Sequence, residues 1–229
     1  MRLAISQSNY LPWIGYFKLI SKVDTFIFYD SVQYTKNDWR NRNKIIVNKS
    51  LINLTIPIKY SFSSRCTIDQ IKLPESNWQD EHLKLIYQGY SKTNFFSYYS
   101  EIEKIIKNDF EFLSKLNIEL ISYFCSVLNI STYLDKGAKF NHDLEKTDRI
   151  IDKCKDLSAD TYVTSPKAMD YLNLKKFKKE KISVELIDYS SCLKLYNQDL
   201  LDFIPHVSLL DILLREGPKA TSLRLNDVR

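Results

Sequence analysis

The alternation of apolar and polar segments in the first thirty residues constrains the fold more than any other feature of the chain. Residues 3–5 are apolar, residues 13–22 carry apolar side chains at helical spacing, and residues 25–29 are rich in β-branched and aromatic side chains. Polar residues and Pro12 separate the first two segments. This order predicts a βαβ unit with two parallel strands and a right-handed crossover.

The remaining pattern predicts an α/β fold in which a hairpin and a helical block interrupt the alternation of strands and helices. Residues 44–47 and 51–57 flank a turn at residues 48–50, which predicts a hairpin, and residues 41–43 before it predict a loop. Apolar spacings of three and four predict helices across residues 78–128. Later elements are predicted as strands at 131–134, 161–163 and 183–187 and helices at 144–157 and 207–213.

Length and composition favour one globular domain. The 229 residues suit a single domain, 1–229, in which residues 75–130 form a helical insertion or subdomain. The 33 basic and 28 acidic residues are dispersed, and they give a formal net charge of +5. Because proteins that bind duplex nucleic acid usually concentrate their positive charge in a patch, we expect a small phosphorylated ligand and no duplex.

Cysteine usage and hydropathy indicate a reduced, cytoplasmic protein. The four cysteines lie far apart and in no CxxC pair, and the chain runs from Met1 directly into the first predicted strand without a signal peptide. The longest apolar-leaning stretch, residues 116–130, contains Asn117 and Glu119. It is shorter than the roughly 20 apolar residues that span a bilayer, so no membrane span is expected. Three histidines without a Cys or His cluster predict no metal site.

The turn after the first strand is the first candidate binding segment. In a βαβ unit this turn lies at the carboxyl edge of the sheet, beside free helix N–H groups that attract anions. Residues 6–16 occupy it, and Gly15 would let a ligand or another backbone approach closely. The alternative is that Pro12 begins the helix, Trp13 and Tyr16 pack in the core, and Gly15 only relieves crowding.

A second candidate segment follows the second strand. Residues 29–34 reach the same edge of the sheet, and residues 36–44 add Lys, Arg, amide and Trp side chains. Arg binds phosphate in bidentate fashion and Trp or Tyr stacks on a sugar or base, which together suit a nucleotide-linked sugar. Asp30 is the candidate general base. The alternatives are a solvated loop whose arginines pair with surface acids, and an Asp30 that only caps its strand.

Other polar groups are weaker candidates. His142 lies in a predicted loop before a helix that Asp143 could cap, whereas His82 is interpreted as an ordinary surface or half-buried histidine. Residues 196–198 with Ser208 and Asp211 offer hydroxyl, amide and carboxylate groups suited to orienting a substrate. For Ser208, capping of the last helix is an equally good interpretation.

Three motifs of this chain resemble the WbqC-like family. They are QSNYLPWIGYF at residues 7–17, YDSVQY at residues 29–34 and WRNRN at residues 39–43, and the resemblance covers nearly the whole chain. Ser6 and Ser8 depart from the family pattern, which commonly has His or Met, and then Pro, at those positions. The resemblance implies a role in O-antigen, capsule or other surface-polysaccharide (lipopolysaccharide) assembly, often with amino sugars that are acylated or linked to amino acids.

A weaker likeness concerns the fold. Residues 13–16 keep the Gly of the His-x-Gly-His signature of nucleotidyltransferases but neither histidine, and those histidines stabilise the phosphate transition state. The predicted fold is therefore α/β and Rossmann-like, with a nucleotidyltransferase-like variant, and has a parallel core with a β-hairpin and a helical insertion. Nucleotidyl or adenylyl transfer stays a second hypothesis.

The first hypothesis is a transferase that forms an acyl or aminoacyl amide on a nucleotide-linked amino sugar. The donor is unknown, and a non-catalytic assembly protein that binds a sugar nucleotide is the third hypothesis. In the first, Lys36, Arg40 and Arg42 hold the diphosphate. The candidate catalytic residues are Asp30 and His142. The candidate substrate-binding residues are Gln7, Asn9, Tyr10, Trp13, Gln33, Tyr34, Lys36, Trp39, Arg40, Asn41, Arg42, Asn43, Tyr196, Gln198, Ser208 and Asp211.

Overall fold

A parallel sheet and a separate hairpin organise the protein, whose computed structural model describes residues 1–59 and 65–226. The strands in these residues are β1 (Arg2–Ser6), β2 (Thr25–Phe28), β3 (Arg42–Val47), β4 (Ser50–Thr55), β5 (Tyr133–Asp135), β6 (Thr161–Thr164) and β7 (Ser183–Leu186). The α-helices are α1 (Ile14–Ser21), α2 (Trp78–Tyr90), α3 (Tyr99–Lys107), α4 (Leu113–Val127), α5 (Lys146–Asp156), α6 (Leu174–Lys179) and α7 (Leu209–Leu223).

The described part of the main sheet has five strands in the order β5-β2-β1-β6-β7, and all of its neighbours pair in parallel. β2 and then β5 lie on one side of β1, and β6 and then β7 lie on the other side. The winding direction therefore reverses between β1 and β6. The predicted α/β fold with a parallel core, a hairpin and intervening helices is confirmed at this level.

The opening βαβ unit follows the sequence pattern. β1 pairs with β2 in the register Leu3↔Thr25 to Ser6↔Phe28, and every residue of β2 is buried. α1 buries residues 14–20, Lys18 included. Gly15 is explained by crowding within this unit, because a Cβ atom there would lie 2.1 Å from the Trp13 ring. The space beside Gly15 is thus filled by a side chain of the protein.

The hairpin forms because two adjacent residues adopt the left-handed conformation. Asn48 and Lys49 have φ values of 49° and 61°, as in the two-residue turns whose twist matches that of the flanking strands. The register runs from Val47↔Ser50 to Arg42↔Thr55. The prediction of a loop at residues 41–43 was therefore wrong for Arg42 and Asn43, since pairing with β4 extends the strand over both.

The predicted helical block consists of α2, α3 and α4, and its first helix, α2, packs against the hairpin. Gly89 of α2 lies against the hairpin backbone, where a Cβ atom would lie 2.6 Å from the Ile46 carbonyl oxygen. The Tyr90 hydroxyl accepts a hydrogen bond from the Ile46 amide at 3.1 Å. One cluster of buried apolar side chains extends from the βαβ unit through the hairpin to these helices.

The predicted late elements are present and differ from the prediction at their ends, and helix α6 was not predicted. α5 begins with Glu145 as its N-cap and without a side-chain capping bond, so the expected cap by Asp143 was wrong. α7 is kinked at Gly217, which has a φ of 80° and lies directly before Pro218. The absence of a Cβ atom at Gly217 leaves room for the Phe95 ring. In the described part of the chain, none of the helices has the length and apolar character that a bilayer crossing needs.

The buried position of His82 predicts that acid destabilises the fold. It is 5% exposed, so the interpretation as a surface or half-buried histidine was wrong, and its Nδ1 lies 2.9 Å from the Tyr10 hydroxyl. Burial lowers the pKa of His82 to about 4, against a smaller opposing effect of a hydrogen bond to the Thr55 backbone. Between about pH 6.5 and pH 4, His82 therefore binds a proton in the unfolded chain but not in the folded chain.

As the pH falls from about 6.5 to about 4, we expect the titration of His82 to lower the free energy of unfolding by up to about 3 kcal/mol. The measurement is urea unfolding from about pH 7.5 to about pH 4.5 for the wild type and for His82→Gln, which cannot titrate. The variant should show a flatter pH dependence. Parallel curves for the two proteins would show that His82 is not the acid-sensitive group.

Candidate functional site

A buried hydrogen bond connects the turn after β1 to the end of β2. The Ser8 amide donates to Asp30 Oδ1 at 2.7 Å, and Asp30 is 6% exposed. Its other carboxylate oxygen, Oδ2, is buried without a hydrogen-bond partner in the described residues. Burial raises the pKa of Asp30, although hydrogen bonds from Ser8 and the charge of Arg40 oppose the effect. One oxygen of the Asp30 carboxylate is thus buried and lacks a donor in the described residues.

The side chains on either side of Ser8 hold Arg40. The guanidinium of Arg40 donates to Asn9 Oδ1 at 3.0 Å and to Gln7 Oε1, and it lies 3.6 Å from the Asp38 carboxylate. Asn117 of α4 donates to the Arg40 carbonyl at 2.9 Å. The structure therefore brings together three predicted site residues, Gln7, Asn9 and Arg40, and the guanidinium already binds protein groups.

Three further predicted residues are buried beside these contacts and bond other parts of the protein. Asn43 Nδ2 donates to the carbonyls of Tyr10 and Leu11, at 3.2 and 2.6 Å, and Leu11 has a φ of 44°. Asn41 Nδ2 donates to the Ile56 carbonyl at 2.8 Å. Tyr10, Asn41 and Asn43 are all at most 2% exposed. Asn43 therefore positions the first turn, whereas Asn41 holds the segment that follows β4.

A cavity of about 470 Å³ opens at the carboxyl ends of β2 and β5, and we name it the Asp30 cavity. It contains both predicted catalytic residues, Asp30 and His142. Its lining also holds three lysines, a second carboxylate and two serines, which no sequence pattern had connected. The lining residues are Phe28, Asp30, Ser31, Asp69, Ser114, Lys115, Ile118, Lys136, Gly137, Ala138, Lys139, Phe140 and His142.

Arg149 fixes the loop that carries His142. Its guanidinium donates to the carbonyls of Asn141, His142 and Leu144, at 3.2, 3.1 and 2.8 Å, and to the Tyr29 hydroxyl. The His142 ring stacks on the Tyr29 ring with centroids 6.2 Å apart. Its Nε2 lies 3.1 Å from Ser31 Oγ. Sequence reasoning missed Arg149, because nothing in its local pattern indicates contacts with Tyr29.

A second cavity of about 240 Å³ lies beside the hairpin, and we name it the hairpin cavity. It is lined by Asn37, Asp38, Trp39, Arg42, Asn43, Lys44 and Asn53. The two cavities share none of these lining residues. Arg42 was expected to converge with Gln7 and Asp30 on one pocket, and this expectation was wrong, because Arg42 lies on the hairpin and faces the second cavity.

The predicted residues near the chain's C-terminal end form a separate buried network around Asp211. Tyr196 and Tyr90 donate their hydroxyls to the two Asp211 oxygens, at 2.8 and 2.9 Å, and Arg215 Nε donates to Oδ1 at 3.0 Å. Gln198 bonds the Tyr196 hydroxyl. This network joins α2, α7 and the loop before α7, and none of its residues lines either cavity.

The other predicted residues have mixed environments. Ser208 is the N-cap of α7 and accepts from the Leu210 amide at 3.3 Å, as the capping interpretation expects. Trp13 packs against Tyr189 and His206, with ring centroids 5.2 and 4.7 Å away. The remaining three, Gln33, Tyr34 and Lys36, lie in the segment after Asp30, where Tyr34 is buried and the other two are exposed.

The comparisons with known proteins agree with the motifs. Residues 7–223 match the WbqC-like protein family. The chain belongs to this family. A relative named "Uncharacterized protein Rv1507c", from Mycobacterium tuberculosis (strain ATCC 25618 / H37Rv), is 35% identical over 221 residues, which cover 96% of this chain and 95% of the relative. The search of solved structures found no match. Membership of the WbqC-like family, predicted from the motifs, is confirmed.

In this WbqC-like protein the WRNRN segment contributes to two separate parts of the structure. Arg40 hydrogen-bonds Gln7 and Asn9, the residues on either side of Ser8, whereas Trp39 and Arg42 line the hairpin cavity. No group of three or more potential metal-ligating side chains occurs within residues 1–59 and 65–226. In the Asp30 cavity, the carboxylate of Asp30 and the imidazole of His142 lie beside three lysines.

Asn43 should contribute to stability because it bonds two main-chain carbonyls in a buried position. Asn43→Ala leaves both carbonyls without that donor, and we expect the free energy of unfolding to fall by about 1–3 kcal/mol. Asn53→Ala, on the exposed face of the same hairpin, is the matched control and should change it by less than about 0.5 kcal/mol. Chemical denaturation measures both, and equal effects would contradict the positioning role of Asn43.

Proposed function

We propose that this protein is a transferase that forms an amide on the amino group of a nucleotide-linked amino sugar, with the Asp30 cavity as its active site. One observation carries the proposal. Asp30, which keeps a buried oxygen without a donor, and His142 line one cavity together with Lys115, Lys136 and Lys139. A base, a second proton carrier and a cluster of cations are the groups that a phosphorylated amine substrate needs.

The position of the cavity supports this assignment. Renumbered within the sheet alone, the strand order is 3-2-1-4-5, and we infer a Rossmann-like arrangement from it. In such sheets, ligands bind outside the carboxyl ends of the strands. The Asp30 cavity lies there, at the ends of β2 and β5, and its volume of about 470 Å³ is in the range of small-molecule sites.

The three lysines take the role that the sequence had given to Lys36, Arg40 and Arg42. Lysine is a compact point charge on a flexible stem, so several lysines can neutralise a diphosphate without a fixed geometry. Arg40 is held by Gln7 and Asn9, and Arg42 faces the other cavity. The diphosphate of the substrate is therefore assigned to Lys115, Lys136 and Lys139.

The proposed reaction needs one base. The substrate amine nitrogen attacks the carbonyl carbon of an activated acyl or aminoacyl donor, and a C–N bond forms. The bond from that carbon to the donor's leaving group breaks, and the leaving group departs with the electron pair. The proton lost by nitrogen goes to the Asp30 carboxylate, whose raised pKa makes it a stronger base than an exposed aspartate. The surface-polysaccharide setting of this reaction rests on the family resemblance.

Amine recognition can be tested with two ligands that differ in one group. Calorimetric titration would compare a nucleoside-diphosphate-linked amino sugar with the counterpart that carries a hydroxyl in place of the amine. We expect the amino sugar to bind at least about tenfold more tightly, since a charge-assisted hydrogen bond contributes about 1.5–3 kcal/mol. Asp30→Asn should remove this preference for the amino sugar. Lys115→Gln should weaken the binding of both ligands. Equal affinities in the wild type would contradict the proposal.

Product analysis then separates this reaction from the alternatives. Mass spectrometry of incubations with activated acyl and aminoacyl donors should detect the amide of the amino sugar. Release of pyrophosphate from a nucleoside triphosphate in the presence of magnesium would instead favour nucleotidyl transfer. Binding without turnover, together with full function of an Asp30→Asn, His142→Gln variant in cells, would favour an assembly protein.

The ionised Asp30 side chain should lower the free energy of unfolding of the protein. Its pKa is raised in the folded protein, so folding favours the protonated form, and the ionised carboxylate at neutral pH opposes folding. Asparagine can still accept the Ser8 amide and carries no charge. We expect Asp30→Asn to unfold at a higher urea concentration than the wild type at pH 7 and to lose turnover. A variant that is both inactive and less stable would indicate a structural role for Asp30.

A further inference from the structure

We propose that the hairpin cavity is a second binding site, separate from the Asp30 cavity, and that it takes a single sugar unit bearing a negatively charged group. The sequence had assigned Trp39 and Arg42 to the nucleotide-sugar site. The structure places them instead in a cavity of about 240 Å³ with Lys44 and Asn53. This inference does not depend on the reaction proposed for the Asp30 cavity.

The hairpin presents its polar groups on a rigid surface. Arg42 and Lys44 are two residues apart on β3, so their side chains lie on the same face of the strand. Asn53 stands directly opposite Lys44 in the β3–β4 register. On the other face, Asn43 is 1% exposed and bonds the first turn. The outward position of Arg42 and Lys44 is therefore fixed by the burial of their neighbour.

The two cations of this cavity, Arg42 and Lys44, outnumber its one carboxylate, Asp38. Arg42 and Lys44 form no ion pair within the described ranges, and the Arg42 guanidinium donates a hydrogen bond to the neutral Asn53 amide oxygen at 3.2 Å. The one carboxylate in the lining, Asp38, accepts from the Trp39 amide at 2.7 Å and lies 3.6 Å from Arg40. Two cations that lack acidic partners predict an anionic ligand.

Trp39 and the amides indicate that the rest of the ligand is a sugar. Trp39 is 43% exposed. Its backbone is fixed, because its amide donates to Asp38 and its carbonyl accepts from the Tyr10 amide at 2.9 Å. An exposed indole on a fixed backbone suits stacking on the apolar face of a sugar ring. Asn37 and Asn53 offer amide donors and acceptors for hydroxyl groups.

The size of the cavity limits the ligand to one ring. Its volume of about 240 Å³ is below the roughly 300–1,000 Å³ of sites that enclose drug-sized molecules such as nucleotides. A monosaccharide with a carboxylate or a phosphate group fits this space, and both anions pair with Arg and Lys. The shared chemistry is therefore an anionic monosaccharide, from either an acidic sugar residue or a sugar phosphate.

The test uses three probes and the Trp39 indole as the reporter. Galacturonate, galactose 1-phosphate and galactose are titrated separately into ¹⁵N-labelled protein, and the indole signal of Trp39 is assigned by its absence in Trp39→Ala. We expect at least one anionic probe to shift this signal and to bind at least about tenfold more tightly than galactose. The preferred anion identifies the source, acidic sugar or sugar phosphate.

Matched variants separate this site from the Asp30 cavity. Arg42→Gln should weaken the anionic probe at least about tenfold, whereas Lys49→Gln, at the tip of the same hairpin, and Lys115→Gln, in the Asp30 cavity, should leave it unchanged. Unfolding midpoints should stay at the wild-type value in the three variants. The proposal is overturned if none of the probes shifts the signal, if galactose binds as tightly as the anions, or if Arg42→Gln has no effect.

Discussion

The hydrogen bond from the Ser8 amide to the Asp30 carboxylate fixes the turn after β1 against the end of β2, and the arrangement of the site follows from it. With Ser8 held, its neighbours Gln7 and Asn9 are placed to bind one guanidinium from opposite sides. That guanidinium, Arg40, sets the position of the segment that leads into the hairpin. One buried amide–carboxylate contact thus determines where two distant segments of the chain meet.

The same contact makes Asp30 both costly and useful. A carboxylate removed from water loses hydration, and the Ser8 amide and the Arg40 charge replace only part of it, because one oxygen has no donor in the described structure. An interaction left incomplete in the free protein can be completed by a ligand that brings a donor. Active sites commonly retain such unsatisfied groups, at some expense of stability. This is why we place the reacting amine at Asp30 rather than at His142, which is exposed.

Local patterns predicted the elements well and the contacts between them poorly. The βαβ unit and the hairpin depend on periodicity and on the Asn48-Lys49 turn, which are properties of neighbouring residues. Arg42 was misplaced because the register of β3, and so the face on which it lies, depends on pairing with Thr55. Arg149 and the lysines of the Asp30 cavity come from segments whose proximity to β2 depends on strand order and helix packing. Tyr90, one of the partners of Asp211, is likewise distant in sequence.

The WRNRN segment shows why a binding motif cannot be assigned as a unit. Just before β3 the chain changes from a loop to an extended strand, so consecutive side chains turn to opposite sides. Asn41 and Asn43 point inward and bond the main chain, whereas Arg42 points to solvent. Arg40, in the loop, turns back toward the first turn. A single string of residues therefore supports the architecture of one cavity and supplies the charge of another, and substitutions within it should separate these two roles rather than weaken one common site.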